Sequence, residues 1–325
     1  MRERILKCLR ETEDYVSGQQ LCQKLNVSRT AIWKVMNQLK EEGYMIEAVK
    51  NRGYRLIHTP DLVTADELNS ILKTSWVGKP VIYEEELVST NQTAKVLAEQ
   101  GAGHGTLVVA ERQTAGKGRR GREWHSPKGS GVWMSILLRP DIRPNKASML
   151  TLVAAMAVYH AISSRIQGCS IKWPNDIVID GRKVCGILTE MSSETDHIHY
   201  VVVGIGINVN TQDFPEDIAG VAASMHTVSG QYFKRSEMIA DVLHAFEIYY
   251  DRFMETSDLS GLMEEYNKRL INCGQRVYIE ERGRKFDGIA EGIDREGCLL
   301  VRKDDGMLVS VISGEVSVRG VLGYV

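Results

Sequence analysis

The hydrophobic period of this 325-residue chain changes twice along its length, and no other feature constrains its fold as much. The first 60 or so residues read as short helices followed by a hairpin, and strands alternate with helices to about residue 270. The last 55 residues then read as short alternating strands between Gly and Asp turns. Three patterns do not share one core, and the length exceeds the roughly 100–200 residues of a single domain. The expected organisation is a multidomain α+β protein with units at 1–63, 64–270 and 271–325. In the middle unit the elements lack a regular βαβα rhythm, which favours a mixed sheet. The short closing strands suggest a small antiparallel barrel.

Composition excludes several classes. A hydrophobic content of 43% and a charged content of 25% are ordinary for a soluble globular protein. No apolar run is expected to span a bilayer. The opening MRERILKCLR is charged throughout and lacks the apolar centre of a signal peptide, so a cytoplasmic protein without a membrane partner is expected. Cysteines 8, 22, 169, 185, 273 and 298 form no C-x-x-C pair, which points to reduced thiols, with Cys22 and Cys185 buried in apolar patterns. The net charge of −2 supplies no general field for nucleic acid, so any such contact needs a local patch.

The first unit provides one. Ser17 and Gln20 form a capping box ahead of Leu21, Cys22 and Leu25, and Asn26-Val27 ends that helix. Ser28 then caps a second helix with Ala31, Ile32, Val35 and Leu39 on one stripe. Alternation over Met45–Val49 and Tyr54–Ile57 around a Lys50-Asn51-Arg52-Gly53 turn reads as a hairpin wing. This winged helix-turn-helix would offer Ser28, Arg29, Thr30, Trp33, Lys34 and Asn37 to a DNA major groove and Lys50 and Arg52 to phosphate. A helical interaction module with a solvated basic face is the alternative. To Asp61 there are 11 Lys or Arg against 8 Asp or Glu, so a dimer is needed for useful affinity. Thr64 to Glu67 signal a further capping box and helix.

The stretch AGKGRRGREWHSP, residues 115–127, carries G-x-G-x-x-G. A dinucleotide fingerprint needs a helix at its last glycine, and none follows Gly121. A nucleic-acid patch is chemically possible. Alternating glycines and cations also suit a loop that closes on a small anion, because a guanidinium bonds phosphate bidentately. Trp124 is then either a cover for an apolar ligand or a core anchor.

Two later stretches bear on the choice. In VVVGIGINVN, period two puts Val203, Ile205 and Ile207 on one face and Gly204, Gly206 and Asn208 on the other. A face without side chains fits either a ligand against the backbone or a tight sheet crossing. In KWPNDIVIDGRKVCGILTE, Asp180-Gly181 marks a hairpin, and Lys183 beside Gly186 is either a point charge for phosphate or a solvated strand position. Lys172, Asn175 and Asp176 add polar groups to the same region.

Taken together, Ser89-Thr90-Asn91, Gln113 with the GKGRRGREW loop, KWPNDI, GRKVCGIL and GIGINVN closely resemble the biotin–protein ligases. With the N-terminal module they resemble the bifunctional members that also repress biotin synthesis. The resemblance implies a winged-helix domain, a central mixed α/β domain related to class II synthetases and lipoate ligases, and a C-terminal SH3-like β-barrel. It implies that Ser89, Thr90, Asn91 and Gln113 surround the biotin ureido ring. It also implies that the loop from Gly116 to Arg122, with Arg119, Arg120 and Trp124, encloses an adenylate. Lys183 would contact phosphate and Asn208 would lie near adenine, while Gly116, Lys183, Gly186, Gly204 and Gly206 line the biotin side. Lys117 stands where the family usually has arginine, which keeps the charge and loses the planar fork.

The implied chemistry is ATP-dependent. Biotin and ATP give biotinyl-5′-AMP, with Lys183 and Arg119 as the catalytic cations and Mg²⁺ on the phosphates, Asp176 being the candidate beside it. Biotin then passes to a lysine of a biotin carboxyl carrier protein. Biotinyl-AMP would also act as corepressor, driving a homodimer onto operator DNA. The alternatives are a lipoate–protein ligase and a biotin-sensing transcription factor without ligase activity.

Overall fold

The computed structural model describes residues 1–281, 284–312 and 316–320 and divides into two compact units, Met1–Leu72 and Lys73–Val325. In the first, α1 (Arg2–Glu11), α2 (Gly18–Leu25) and α3 (Arg29–Glu41) precede a hairpin of β1 (Met45–Val49) and β2 (Gly53–His58), and α4 (Ala65–Ile71) closes the unit. The Ser17–Gln20 capping box forms in both directions, at 3.1 and 2.8 Å. Asn26 ends α2 in the left-handed region at φ 56°, and Ser28 Oγ accepts from the Ala31 amide. Ile5, Leu6, Leu21, Ile32, Met36 and Leu39 form the small core. Cys22 only packs partly buried at its edge, because its position on α2 lies beside the stripe of Leu21 and Leu25 and not on it. Thr64 Oγ1 caps α4 through the Glu67 amide, while the buried Glu67 carboxylate takes Arg10 at 2.6 Å and the Tyr44 hydroxyl at 2.7 Å. The acidic partner of that cap is thus spent on tertiary packing.

The second unit holds a seven-stranded sheet of β3 (Val81–Leu87), β4 (Leu107–Gln113), β5 (Val132–Leu138), β6 (Cys169–Lys172), β7 (Asp176–Ile179), β8 (Arg182–Ser193) and β9 (Ile198–Ile207). Its order is β3-β4-β5-β9-β8-β7-β6, with β3 and β4 parallel and the other pairs antiparallel. Helix α5 (Thr90–Glu99) follows β3, and α6 (Met149–Ser163) lies between β5 and β6. The short α7 (Glu216–Ala219) and α8 (Met225–Ser229) lead to the long α9 (Arg235–Thr256), which packs on α6, and to α10 (Met263–Asn267). The segment Pro144–Ser163 is apolar and long enough to cross a membrane, contrary to expectation. Most of it is buried inside the unit, and a helix apolar on all sides is what the centre of a large domain uses.

A separate five-stranded antiparallel sheet comprises β10 (Arg276–Glu281), β11 (Arg284–Ile293), β12 (Leu299–Arg302), β13 (Leu308–Val311) and β14 (Val316–Gly320), in the order β13-β12-β11-β10-β14. It is tied to the seven-stranded sheet by the buried Trp173, whose Nε1 donates to Gly297 O at 3.0 Å and whose backbone N donates to Asn272 Oδ1 at 3.0 Å.

Candidate functional site

The middle of the large sheet carries the cavity, about 730 Å³, and the reason is local. Gly186 pairs with Gly206, and Gly204 lies opposite Leu188, so the two strands present backbone at three positions where others present side chains. Neighbouring residues fill that relief. A methyl on Gly204 would come within 2.1 Å of Asn91 Oδ1, and one on Gly206 within 2.4 Å of Trp124 Nε1. A methyl on Gly186 would meet the same indole at 2.9 Å and Lys183 Nζ at 3.3 Å. The opposite face of β9 is the core, with Val203, Ile205 and Ile207 buried.

One end of the cavity is an uncharged polar wall. Ser89, Thr90 and Asn91 sit buried at the start of α5, and Gln113 ends β4. Gln113 Oε1 accepts from the Thr90 amide at 2.9 Å and the Thr90 hydroxyl at 3.1 Å, and its Nε2 donates to Ser126 Oγ at 2.9 Å. Gly116 lies so close that a methyl there would reach 2.9 Å from Gln113 Nε2. The Asn91 amide donates to Glu190 Oε2 at 2.8 Å and Leu188 O at 3.3 Å and accepts from Ser135 at 2.6 Å. Burial raises the Glu190 pKa, but hydrogen bonds from Lys95 and Asn91 outweigh it and hold the carboxyl below its ordinary range.

The other end is cationic. The loop after β4 folds back as a narrow hairpin, with Gly118 N donating to Arg122 O at 2.8 Å and Trp124 N to Gly116 O at 2.9 Å. Arg120 and Gly121 take positive φ, 59° and 72°, at its tip. Arg119 donates to Asn175 Oδ1 at 2.8 Å. Its charged form is disfavoured by burial, Asp176 opposes that shift, and Arg120 and Arg122 reinforce it. Three guanidinium groups crowded over one cavity are relieved by an anion. Lys183 Nζ is ion-paired with Asp176 Oδ1 at 2.6 Å and lies 5.3 Å from the centre of the Trp124 ring. Asn208 is buried and donates to Ala223 O at 3.2 Å. Phe214, Ile218 and Val221 complete the rim.

The structure therefore brings Ser89, Thr90, Asn91, Gln113, Arg119, Arg120, Arg122, Trp124, Asp176, Lys183, Gly186, Gly204, Gly206 and Asn208 to one cavity. Gly116 sits behind the wall, against Gln113. Lys117 also lines the cavity. Glu190, Ser135 and Lys95 escaped notice in the sequence. Glu190 was legible two places beyond Leu188 on the glycine-bearing face, and Ser135 as the one hydroxyl in the apolar strand VWMSILL. For Mg²⁺ the described residues offer no cage, since no three His, Cys, Asp or Glu side chains converge among them and Asp176 is engaged by Lys183.

In the first unit Arg29, Thr30, Trp33 and Lys34 are exposed along α3, with Asn37 half-buried and Ser28 at the N-cap. Trp33 is 60% exposed. Lys50 is exposed on the hairpin turn. Arg52 is held by Asp14 at 2.9 and 3.0 Å and stacks 4.2 Å over Tyr15, so this wing cation is partly neutralised.

Three family profiles match along the chain: an HTH domain over residues 2–55, the Biotin/lipoate A/B protein ligase family over 85–208, and the Biotin protein ligase C terminal domain over 273–319. The chain is 43% identical to the "Bifunctional ligase/repressor BirA" of Bacillus subtilis over 298 residues, covering 90% of this chain and 91% of that protein. It is 32% identical to a biotin–[acetyl-CoA-carboxylase] ligase of Paracoccus denitrificans, over 68% of this chain and 93% of the other. A biotin protein ligase from Aquifex aeolicus, solved with biotin and ATP, superposes with a TM-score of 0.65 at 31% identity, over 74% of this chain and 99% of that one. The chain belongs to the biotin–protein ligase family, among its bifunctional ligase/repressors.

Proposed function

We propose that the cavity takes biotin against the Ser89–Gln113 wall and ATP beneath the 116–122 loop, joins them as biotinyl-5′-AMP with release of pyrophosphate, and delivers biotin to one lysine of a biotin carboxyl carrier protein with release of AMP. The observation that carries this is the meeting of an uncharged hydrogen-bonding wall with Arg119, Arg122 and Lys183 in one cavity of about 730 Å³. The biotin carboxylate, with a reference pKa near ~4, is ionised at neutral pH, so its attack on the α-phosphate needs no general base. The obstacle is repulsion between anions. Arg119 and Lys183 offset it by charge and hold the two groups in line. Trp124 covers the site and slows hydrolysis of the mixed anhydride.

In the second step the acceptor lysine, with a pKa of roughly 10.4 when free, must lose a proton. Lys183 is the cation of its pair with Asp176, which leaves Asp176 as the proton acceptor. Transfer from preformed biotinyl-AMP at the normal rate in Asp176→Asn would remove that role. Mg²⁺ would supply further charge neutralisation on the phosphates, held there by the phosphates more than by this chain.

The protein also represses transcription. The α3 face of Arg29, Thr30, Trp33, Lys34 and Asn37 enters the operator major groove, with Lys50 on the backbone. Adenylate closes the loops, the closed form dimerises, and two modules then engage a palindrome. Units at 1–63, 64–270 and 271–325, the last an SH3-like barrel, and a cytoplasmic location complete this reading. The test is pyrophosphate release with Mg-ATP and either biotin or lipoate, followed by an acceptor domain and mass spectrometry. Biotin-dependent release with a single modified lysine supports the ligase. Lipoate-dependent release selects the lipoate ligase, and no release with either acid leaves an effector-sensing repressor. Sedimentation that is indifferent to adenylate would remove the proposed dimer coupling.

A further inference from the structure

A chain of hydrogen bonds runs from an ion pair at the edge of the cavity to its polar wall, and its direction is set by charge. Lys95 Nζ holds Glu190 Oε1, and Glu190 Oε2 takes the Asn91 amide at 2.8 Å. An ionised carboxylate accepts and cannot donate, so Asn91 must present its NH₂ to Glu190 and Leu188 O and turn Oδ1 the other way. There Oδ1 meets Ser135 Oγ at 2.6 Å. Ser135 has one proton and two acceptors in reach, Asn91 Oδ1 and Thr90 Oγ1 at 2.8 Å. Once Asn91 takes that proton, Thr90 Oγ1 keeps lone pairs unclaimed while its own hydrogen goes to Gln113 Oε1 at 3.1 Å. Ser135 is fully buried and Asn91 is 5% exposed, so water does not readily reset the sequence of donors.

We infer that Glu190, braced by Lys95, is a positioning residue for biotin recognition: through Asn91 and Ser135 it fixes which atoms of the Thr90–Gln113 wall donate and which accept. The inference rests on the reading that biotin binds this wall. A ureido group has two donors and one acceptor, so a wall of the wrong polarity costs hydrogen bonds, not only fit. The Asn91 amide is then an internal relay, with both of its polar ends engaged by protein.

Isothermal titration of biotin separates this from a packing role. In Glu190→Gln the new amide must offer its oxygen to Lys95, which turns its NH₂ onto Asn91; Asn91 then reverses, giving up its longer bond to Leu188 O, and the serine proton passes to Thr90. Biotin affinity is expected to fall about tenfold, a loss of one well-made hydrogen bond, with the KM for ATP unchanged. Lys95→Met together with Glu190→Gln frees the amide oxygen to face Asn91 and is expected to recover most of that affinity. A merely structural loss would deepen in the double variant. Ser135→Ala cuts the relay, so Glu190→Gln on that background is expected to add less than twofold. Unchanged biotin affinity in Glu190→Gln, no recovery in the double variant, or additivity with Ser135→Ala would each overturn the inference while leaving the ligase reading intact. If the unaltered protein failed to bind biotin, the ligase reading itself would fall. Should Glu190→Gln alone not fold, the Lys95→Met and Glu190→Gln double variant is read against the unaltered protein: biotin affinity within about threefold supports the relay, and a loss of about tenfold or more overturns it.

Discussion

Gly204→Ala tests how firmly the polar wall is built. The added methyl would sit 2.1 Å from Asn91 Oδ1, about 1.3 Å inside the 3.4 Å at which ordinary contact begins. The backbone of β9 tolerates alanine here, since Gly204 is not among the positive-φ residues, and the cost is steric. Such a clash is cheap when the obstructing side chain can swing away. Asn91 cannot do so freely, because it is held by Glu190 at 2.8 Å, Leu188 O at 3.3 Å and Ser135 at 2.6 Å. Relief requires breaking two of these bonds or bowing the sheet. Together the two terms, about 1–3 kcal/mol for overpacking and about 1–3 for buried groups left unpaired, cost roughly 2–6 kcal/mol. In a unit of this size that lowers Tm by roughly 4–24 °C, and biotin affinity should drop by about 10- to 100-fold if part of the strain is relieved by displacing the wall. Gly206→Ala is the control. Its methyl meets the Trp124 indole, whose Nε1 has no hydrogen bond among the described residues to hold it, so Tm should move by less than about 2 °C. Calorimetry and biotin titration on both variants give the result. Wild-type Tm and affinity in Gly204→Ala would refute the argument that Asn91 is pinned.

Three further outcomes are expected. Arg119→Gly should release biotinyl-AMP and label bystander lysines, and tight retention of the adenylate by this variant would contradict the clamp. Thiol alkylation at pH 8 should modify exposed Cys273, whereas burial pushes Cys169 up to about 12 and Cys185 well above its usual range, so neither forms thiolate before unfolding. Early alkylation of Cys185 in the native protein would count against that burial. On the DNA side, Trp33→Ala should weaken operator binding with its salt dependence intact, because an indole releases no counterion. Arg29→Ala should lower the salt slope by about one, and the opposite pattern would mean α3 does not face DNA as proposed.

Local rules carried the sequence reading where neighbours in the chain decide the outcome. The Ser17–Gln20 box, the Asn26 break, the Ser28 cap and the Asp180-Gly181 turn, with φ of 48° and 75°, depend on backbone groups within three or four residues. The alternation of Val203, Ile205 and Ile207 against Gly204 and Gly206 likewise fixes which face of β9 is buried. Family resemblance, resting on short motifs, then collected residues from 89 to 208 into one site. What the sequence left undecided is who fills the glycine relief and how the polar wall is oriented. Those answers lie in contacts across 44 to 99 positions of chain, such as Ser135 on Asn91 and Glu190 on Asn91. The Thr64–Glu67 cap and the 144–163 helix show the same principle. A carboxylate that could serve its own helix end is drawn to Arg10 and Tyr44, and a stretch apolar enough for lipid is spent on the interior. Periodicity says which side of an element avoids water, but only the fold sets what meets it there, because hydrogen-bond partners and packing neighbours are chosen by distance in space.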